Sequence, residues 1–81
     1  MMESKFQVFV RGGCPTCEDI VKFMKDAKLN TKIVDVSTKD GFLLSKKHTV
    51  LKLPTVLLMD SENNAVDIFY TLKEMQKLIN P

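Results

Sequence analysis

Cys14 and Cys17 are the only thiols in this 81-residue chain, three positions apart in RGGCPTCEDI, residues 11–20. That spacing admits three chemistries: half of a metal clasp, a structural crosslink, or a pair that exchanges electrons. A structural zinc wants four Cys or His ligands, and the chain adds only His48, in a lysine-rich segment. No metal is therefore expected, and His48 reads as a surface helix residue rather than a base. A metal or iron–sulfur carrier would have to share its site between two copies. A crosslink that closes so short a loop removes little chain entropy, so it stabilises little. Electron exchange is the chemistry the spacing supports best.

The local sequence says how each sulfur would act. Proline favours the first position of a helix, so Pro15 makes Cys14 the N-cap. A sulfur there faces the free N–H groups of Thr16 and Cys17 and the positive end of the helix dipole. Both favour thiolate; thiols so placed titrate at about 3.5–7.5, against about 8.5 for a free cysteine. The thiolate is the attacking species in disulfide exchange, which makes Cys14 the expected nucleophile. Cys17, one turn later, aligns with Ile20 and Met24 on the apolar side and is the expected resolving thiol. Gly12 and Gly13 let the backbone bend and a substrate chain approach. Arg11 favours the thiolate, while Glu18 and Asp19 oppose it.

The elements that must hold this pair are legible from periodicity. KFQVFV alternates, with Phe6, Val8 and Val10 on one side and Gln7 and Phe9 on the other, as a first strand. From Pro15 to about Lys28, Ile20, Phe23, Met24 and Ala27 recur at helical spacing. TKIVDV reads as a second strand, and Ser37 to Gly41 as a loop. Phe42 to His48 is expected as a short helix anchored by Leu43 and Leu44. LPTVLLM is a near-continuous apolar run, the mark of a strand buried on both faces. DSENN is a turn. AVDIFY alternates again, with Val66, Ile68 and Tyr70 on one face. Thr71 to Glu74 forms a capping box, opening a helix to about Ile79 in which Leu72, Met75, Leu78 and Ile79 pack inward. The expected fold class is α/β, in the order β-α-β-α-β-β-α. A four-stranded mixed sheet, flanked by helices on both faces, fits the apolar strands best.

Composition sets further bounds. Residues 1–81 are expected to form a single domain with a thin core. Twelve basic and ten acidic residues are spread along the chain in mixed order, for a formal net charge of +2. That pattern is a solvated surface, not a phosphate-binding stripe, so no nucleic-acid partner is expected. MMESKFQVFV has no long apolar run, so neither a leader nor a membrane span is expected. A cytoplasmic monomer follows as the default, in a compartment where thiols are kept reduced.

GGCPTC at a strand-to-helix turn and KLPTV before a buried strand resemble the thioredoxin superfamily, in particular the small glutaredoxins and glutaredoxin-like redoxins. The element order extends the likeness over essentially the whole chain. The resemblance implies a thioredoxin fold and a cis Leu53–Pro54 bond, with Pro54 beside the sulfurs and the Leu53 backbone pairing with extended substrate. Substrate contacts are expected at Arg11, Gly13, Pro15 and Thr16 on the cysteine side. Leu53, Pro54 and Tyr70 complete the expected set. The sequence departs from glutaredoxins where Phe69 and Tyr70 replace a glycine pair, and an acidic pair that holds glutathione is missing. Arg11 matches the basic residue ahead of the first glutaredoxin cysteine, and reads equally as a solvated loop charge. Thioredoxins bury a carboxylate on the strand before C-x-x-C; Phe6–Val10 has none.

The function implied is thiol–disulfide oxidoreduction of protein disulfides through a redox-active Cys14–Cys17 disulfide, with no bound cofactor. Thioredoxin reductase or glutathione would restore the dithiol, and ribonucleotide reductase is the substrate class the resemblance brings. The alternative is a binding module that uses the Leu53–Pro54 edge and a Phe69/Tyr70 rim, with redox chemistry secondary.

Overall fold

The computed structural model describes residues 5–79. Its elements are β1 (Lys5–Val10), α1 (Pro15–Asp26), β2 (Thr31–Asp35), α2 (Lys39–Lys47), β3 (Thr55–Met59), β4 (Ala65–Phe69) and α3 (Leu72–Ile79). This is the expected order. The four strands form one sheet, β2-β1-β3-β4. β1 runs parallel to β2 and antiparallel to β3, and β4 closes the sheet antiparallel to β3.

Alternation along the two central strands builds a core on each face of the sheet. Phe6 and Val8 of β1 and Val56 of β3 point to one side, where Ile20 and Met24 of α1, Met75 of α3 and Phe69 of β4 meet them. Phe9, Leu57 and Met59 point to the other side with Val34, against Leu44 of α2. Ile20, Met24 and Met75 are fully buried. Burying side chains of this size contributes about 1.5–3 kcal/mol each. Helices therefore flank the sheet on both faces, α1 and α3 on one and α2 on the other.

Local caps set where the helices begin. Thr38 starts α2: its Oγ1 accepts the Gly41 N–H at 3.0 Å and donates to the Asp35 carbonyl at 2.8 Å. Before α3, Thr71 Oγ1 accepts the Glu74 N–H at 3.1 Å, and Glu74 Oε1 returns to the Tyr70 N–H at 3.1 Å. The capping box is thus present, with its carboxylate reaching one residue further back than expected.

Three expectations are corrected. α2 begins at Lys39, not Phe42, because the Thr38 cap recruits the preceding turn. Its inward face is Gly41, Leu44 and Ser45; Leu43 is 55 % exposed and anchors nothing. Leu78 and Ile79 stay 39 % and 37 % exposed outside the core, which α3 reaches through Met75 with Leu72. Among the described residues, no helix is long and apolar enough to cross a membrane.

Candidate active site

Strand register gathers the candidate residues at one end of the sheet. Val10 pairs with Asp35 and Phe9 with Thr55, while Phe69 pairs with Val56. The Arg11–Cys14 loop, the end of β2, the turn at Pro54 and Tyr70 therefore all leave the sheet at that edge. In open α/β sheets this is where ligands bind, outside the strands' carboxyl ends.

Cys14 is the N-cap of α1, with extended backbone and Pro15 following it at the first helical position. Its Sγ accepts the Cys17 N–H at 3.2 Å, and its carbonyl accepts the Glu18 N–H at 3.1 Å. Of the two N–H groups expected to face the sulfur, Cys17 supplies the bond seen. Cys14 and Cys17 are joined as a disulfide, with Cα atoms 5.2 Å apart, inside the range such bonds span. Cys14 is half-buried, whereas Cys17 is 2 % exposed and belongs to the buried side of α1. One sulfur is reachable and the other is shielded.

The loop before them needs its second glycine. Gly13 has φ +79°, the left-handed region that glycine enters without steric cost. Gly12 has nothing within 4 Å of where a Cβ would lie, so its role is open space rather than conformation. Arg11, Gly13, Pro15 and Thr16 are all exposed around the half-buried sulfur. The Leu53–Pro54 bond is cis, Pro54 is buried and Leu53 half-buried.

Phe69 and Tyr70 divide in role. Phe69 is 9 % exposed and part of the core, so a Phe69 rim is corrected: strand alternation turns it inward against Val56. Tyr70 is half-buried, and the Lys52 ammonium lies 4.1 Å from its ring centroid. Lys52 was not among the residues marked from the sequence. Its position just before Leu53–Pro54 was the available signal, but only the fold brings it to Tyr70.

A groove of about 350 Å³ lies beside Cys17, lined also by Arg11, Glu18, Val21, Ile33 and Asp35. Asp35 is the carboxylate that sequence reasoning missed here, since only parallel pairing of β2 with β1 carries it to the site. Its pKa is lowered by the Ser37 side-chain hydrogen bond, then by the Ser37 backbone N–H. Those bonds to Asp35 Oδ1 measure 2.6 and 2.9 Å. His48 caps the C-terminal end of α2, with its ring edge-on to Phe9 at 6.2 Å. Burial first, then the Lys47 charge, lowers its pKa. His48 thus ends α2 as a partly exposed residue with one ring edge toward Phe9. Among the described residues, no group of three or more His, Cys, Asp or Glu side chains could hold a metal ion.

No protein-family model matches the sequence, and no curated protein does. Solved structures do match. The oxidised thioredoxin of Plasmodium falciparum superposes with a TM-score of 0.76 at 21 % identity, over 96 % of this chain and 79 % of that one. Thioredoxin f2 of Chlamydomonas reinhardtii gives 0.72 at 21 % identity, over 99 % and 76 %. A thioredoxin-fold protein from Helicobacter pylori gives 0.70 at 20 % identity over 88 % of this chain, which spans 62 % of its length. Sheet order, helix placement and these superpositions agree: the chain has the thioredoxin fold, with its C-x-x-C pair at the turn from the first strand into the first helix.

Proposed function

We propose that the protein is a thiol–disulfide oxidoreductase that reduces disulfides in protein substrates. The observation that carries this reading is the asymmetry of the pair. Cys14 Sγ sits at a helix N-cap and accepts an amide N–H at 3.2 Å, while Cys17 is 2 % exposed. An accessible sulfur in a field that favours thiolate, with a shielded partner three residues on, is what stepwise exchange needs.

In the reduced protein the Cys14 thiolate attacks one sulfur of the substrate disulfide. That S–S bond breaks, a mixed disulfide with Cys14 forms, and the first substrate thiolate leaves and takes a proton from water. Cys17 then loses its proton to water and attacks Cys14 Sγ, and water returns a proton to the second substrate sulfur as it leaves. The mixed disulfide breaks, the Cys14–Cys17 bond forms, and the second substrate thiol is released. Two electrons pass from the dithiol to the substrate, and a reductant must return them.

The donor is the finer part of the reading. A buried Phe69, and a Tyr70 ring covered by Lys52, stand where glutaredoxins offer glycines to glutathione. This favours a thioredoxin-reductase type of donor over glutathione. Arg11, in turn, is exposed and free to meet a carboxylate. A ribonucleotide reductase disulfide remains the substrate class that the resemblance brings, and the cytoplasm the compartment.

The test is NADPH-coupled reduction of a protein disulfide by wild type, Cys14→Ser and Cys17→Ser. Wild type turns over, Cys14→Ser is inactive, and Cys17→Ser accumulates a mixed disulfide visible by mass. Full turnover by Cys14→Ser overturns the role assignment. No turnover by wild type with either thioredoxin reductase or glutathione overturns the function, leaving the fold as a binding module.

A further inference from the structure

Arg11 borders a second groove, of about 470 Å³, which runs between the end of β2, α2 and the segment that leads to Leu53. Its lining is unlike that of the groove beside Cys17. Where that one contains Glu18 and Asp35, this one contains Arg11 and Lys52 and no carboxylate. Its two hydroxyls are already used: Ser45 donates to the Phe42 carbonyl at 2.6 Å and Ser37 to Asp35 at 2.6 Å. The charged donors left for a ligand are the two cations.

Two lysines in this region lie on aromatic rings. Lys52 is fixed over the Tyr70 ring, and at the other rim Lys46 lies 5.3 Å from the Phe42 ring centroid. A cation held on an aromatic face keeps its charge and some of its donors while losing rotamer freedom. Between them, Leu51 is 88 % exposed and Phe42 50 % exposed. Large apolar side chains left in solvent together mark an interaction surface, and the charged groups of the lining itself are Arg11 and Lys52, with the Asp35 carboxylate behind Ser37. The groove ends at Leu53, beside the cis-proline turn and at the sheet end where Cys14 lies.

We propose that this groove, lined by Arg11, Phe42, Leu51, Lys52 and Leu53, selects protein substrates whose reactive cysteine is flanked by acidic and large apolar residues. The inference rests on the oxidoreductase reading above and names its substrate class. The apolar flank packs on Phe42 and Leu51, and the acidic side chains meet Arg11 and Lys52. Both contacts lie at the end of the sheet that carries Cys14. Charge of this kind also raises the rate of encounter, and salt weakens it.

The experiment is an amide-shift NMR titration of the oxidised wild-type chain with two peptides of equal length. Each has Ser in place of the reactive Cys and a neighbouring Leu; one carries glutamates and the other lysines. The acidic peptide is expected to bind about tenfold tighter, the sum of exposed ion pairs. Shifts should fall on Arg11, Phe42 and Leu51–Leu53, and the preference should fade between about 50 and 500 mM salt. Arg11→Glu, in an exposed loop, should remove most of the preference, and Arg11→Glu/Lys52→Glu should reverse it. Equal affinities, shifts elsewhere, or a preference unchanged in both variants overturns the proposal. So does glutathione that gives the same shifts and displaces the peptide, since the cations would then serve the tripeptide's carboxylates. Reduction of a neutral disulfide, hydroxyethyl disulfide, is followed in parallel. Its failure beside an intact peptide preference removes the oxidoreductase reading alone, and the converse removes only the selectivity.

Discussion

A β-carbon at Gly41 would overlap the backbone carbonyl of Asp35 and lie 2.9 Å from Thr38 Oγ1. The first turn of α2 is thus pressed against the end of β2 at a distance only glycine permits. The same contact places Val36, Ser37, Phe42 and Ser45 around the groove.

Gly41→Ala should destabilise the fold by about 3 kcal/mol, because the obstructing atoms are backbone and cannot rotate away. Thermal unfolding should show Tm falling by on the order of 15 °C for a domain of this size. Gly12→Ala is the control: nothing lies within 4 Å and its φ is not positive, so stability should change by less than about 0.5 kcal/mol. Gly13→Ala should cost about 1 kcal/mol through its φ of +79° alone. A Gly41→Ala melting curve that overlays wild type would contradict the packing described.

Asp35 and Ser37 define a pH dependence. The folded-state pKa of Asp35 is lowered from 3.8 by the two Ser37 bonds. The stability it contributes is fully present above the unfolded value and is lost as pH falls through the lower folded one. Ser37→Ala should raise the Asp35 titration midpoint, as carboxyl carbon shifts in NMR would record. It should also flatten the wild-type loss of stability below about pH 4. An unchanged midpoint would mean that Ser37 does not hold the carboxylate.

Cys14 should differ from Cys17 in the reduced protein. Iodoacetamide should alkylate Cys14 first, with a midpoint below the roughly 8.5 of a free thiol, because helix N–H groups stabilise its thiolate. Cys17 should stay unmodified until the protein unfolds, given its 2 % exposure. Peptide mapping after brief labelling reads both. Equal labelling of the two would remove the division of labour between them.

Tyr70 and Lys52 should govern the choice of reductant. With the ring in place, reduction by glutathione should be slower than by thioredoxin reductase. Tyr70→Gly should narrow the gap by lowering the KM for glutathione more than it changes kcat, since uniform binding is what a cleared site restores. Faster reduction of the wild type by glutathione would show that Arg11 suffices to bind the tripeptide.

Which residues were legible follows from how far apart their determinants lie. The Cys14 cap, the Pro15 start and the Thr71–Glu74 box depend on groups within four residues, so sequence order displays them directly. The two-faced burial of β3 was legible because a continuous apolar run has no solvent side. The start of α2 was not, since polar Lys39 and Asp40 carry no apolar period and only the Thr38 cap extends the helix over them. Leu43, Leu78 and Ile79 misled for a related reason. A period shows that a face is apolar, but whether another element covers it depends on the rest of the chain.

By itself, then, the sequence determined the element order, the C-x-x-C pair at a helix start and the unequal standing of its two sulfurs, all set by local backbone chemistry. Tertiary structure alone decided that Phe69 is core while Tyr70 carries Lys52. It alone set Asp35 and Cys17 along one groove and gave Arg11 a second groove that reaches Leu53. These neighbours come from segments distant in the chain, and strand register decides which strand ends and loops meet. A shift of one residue would turn Phe69 and Asp35, the strand residues among them, to the other face.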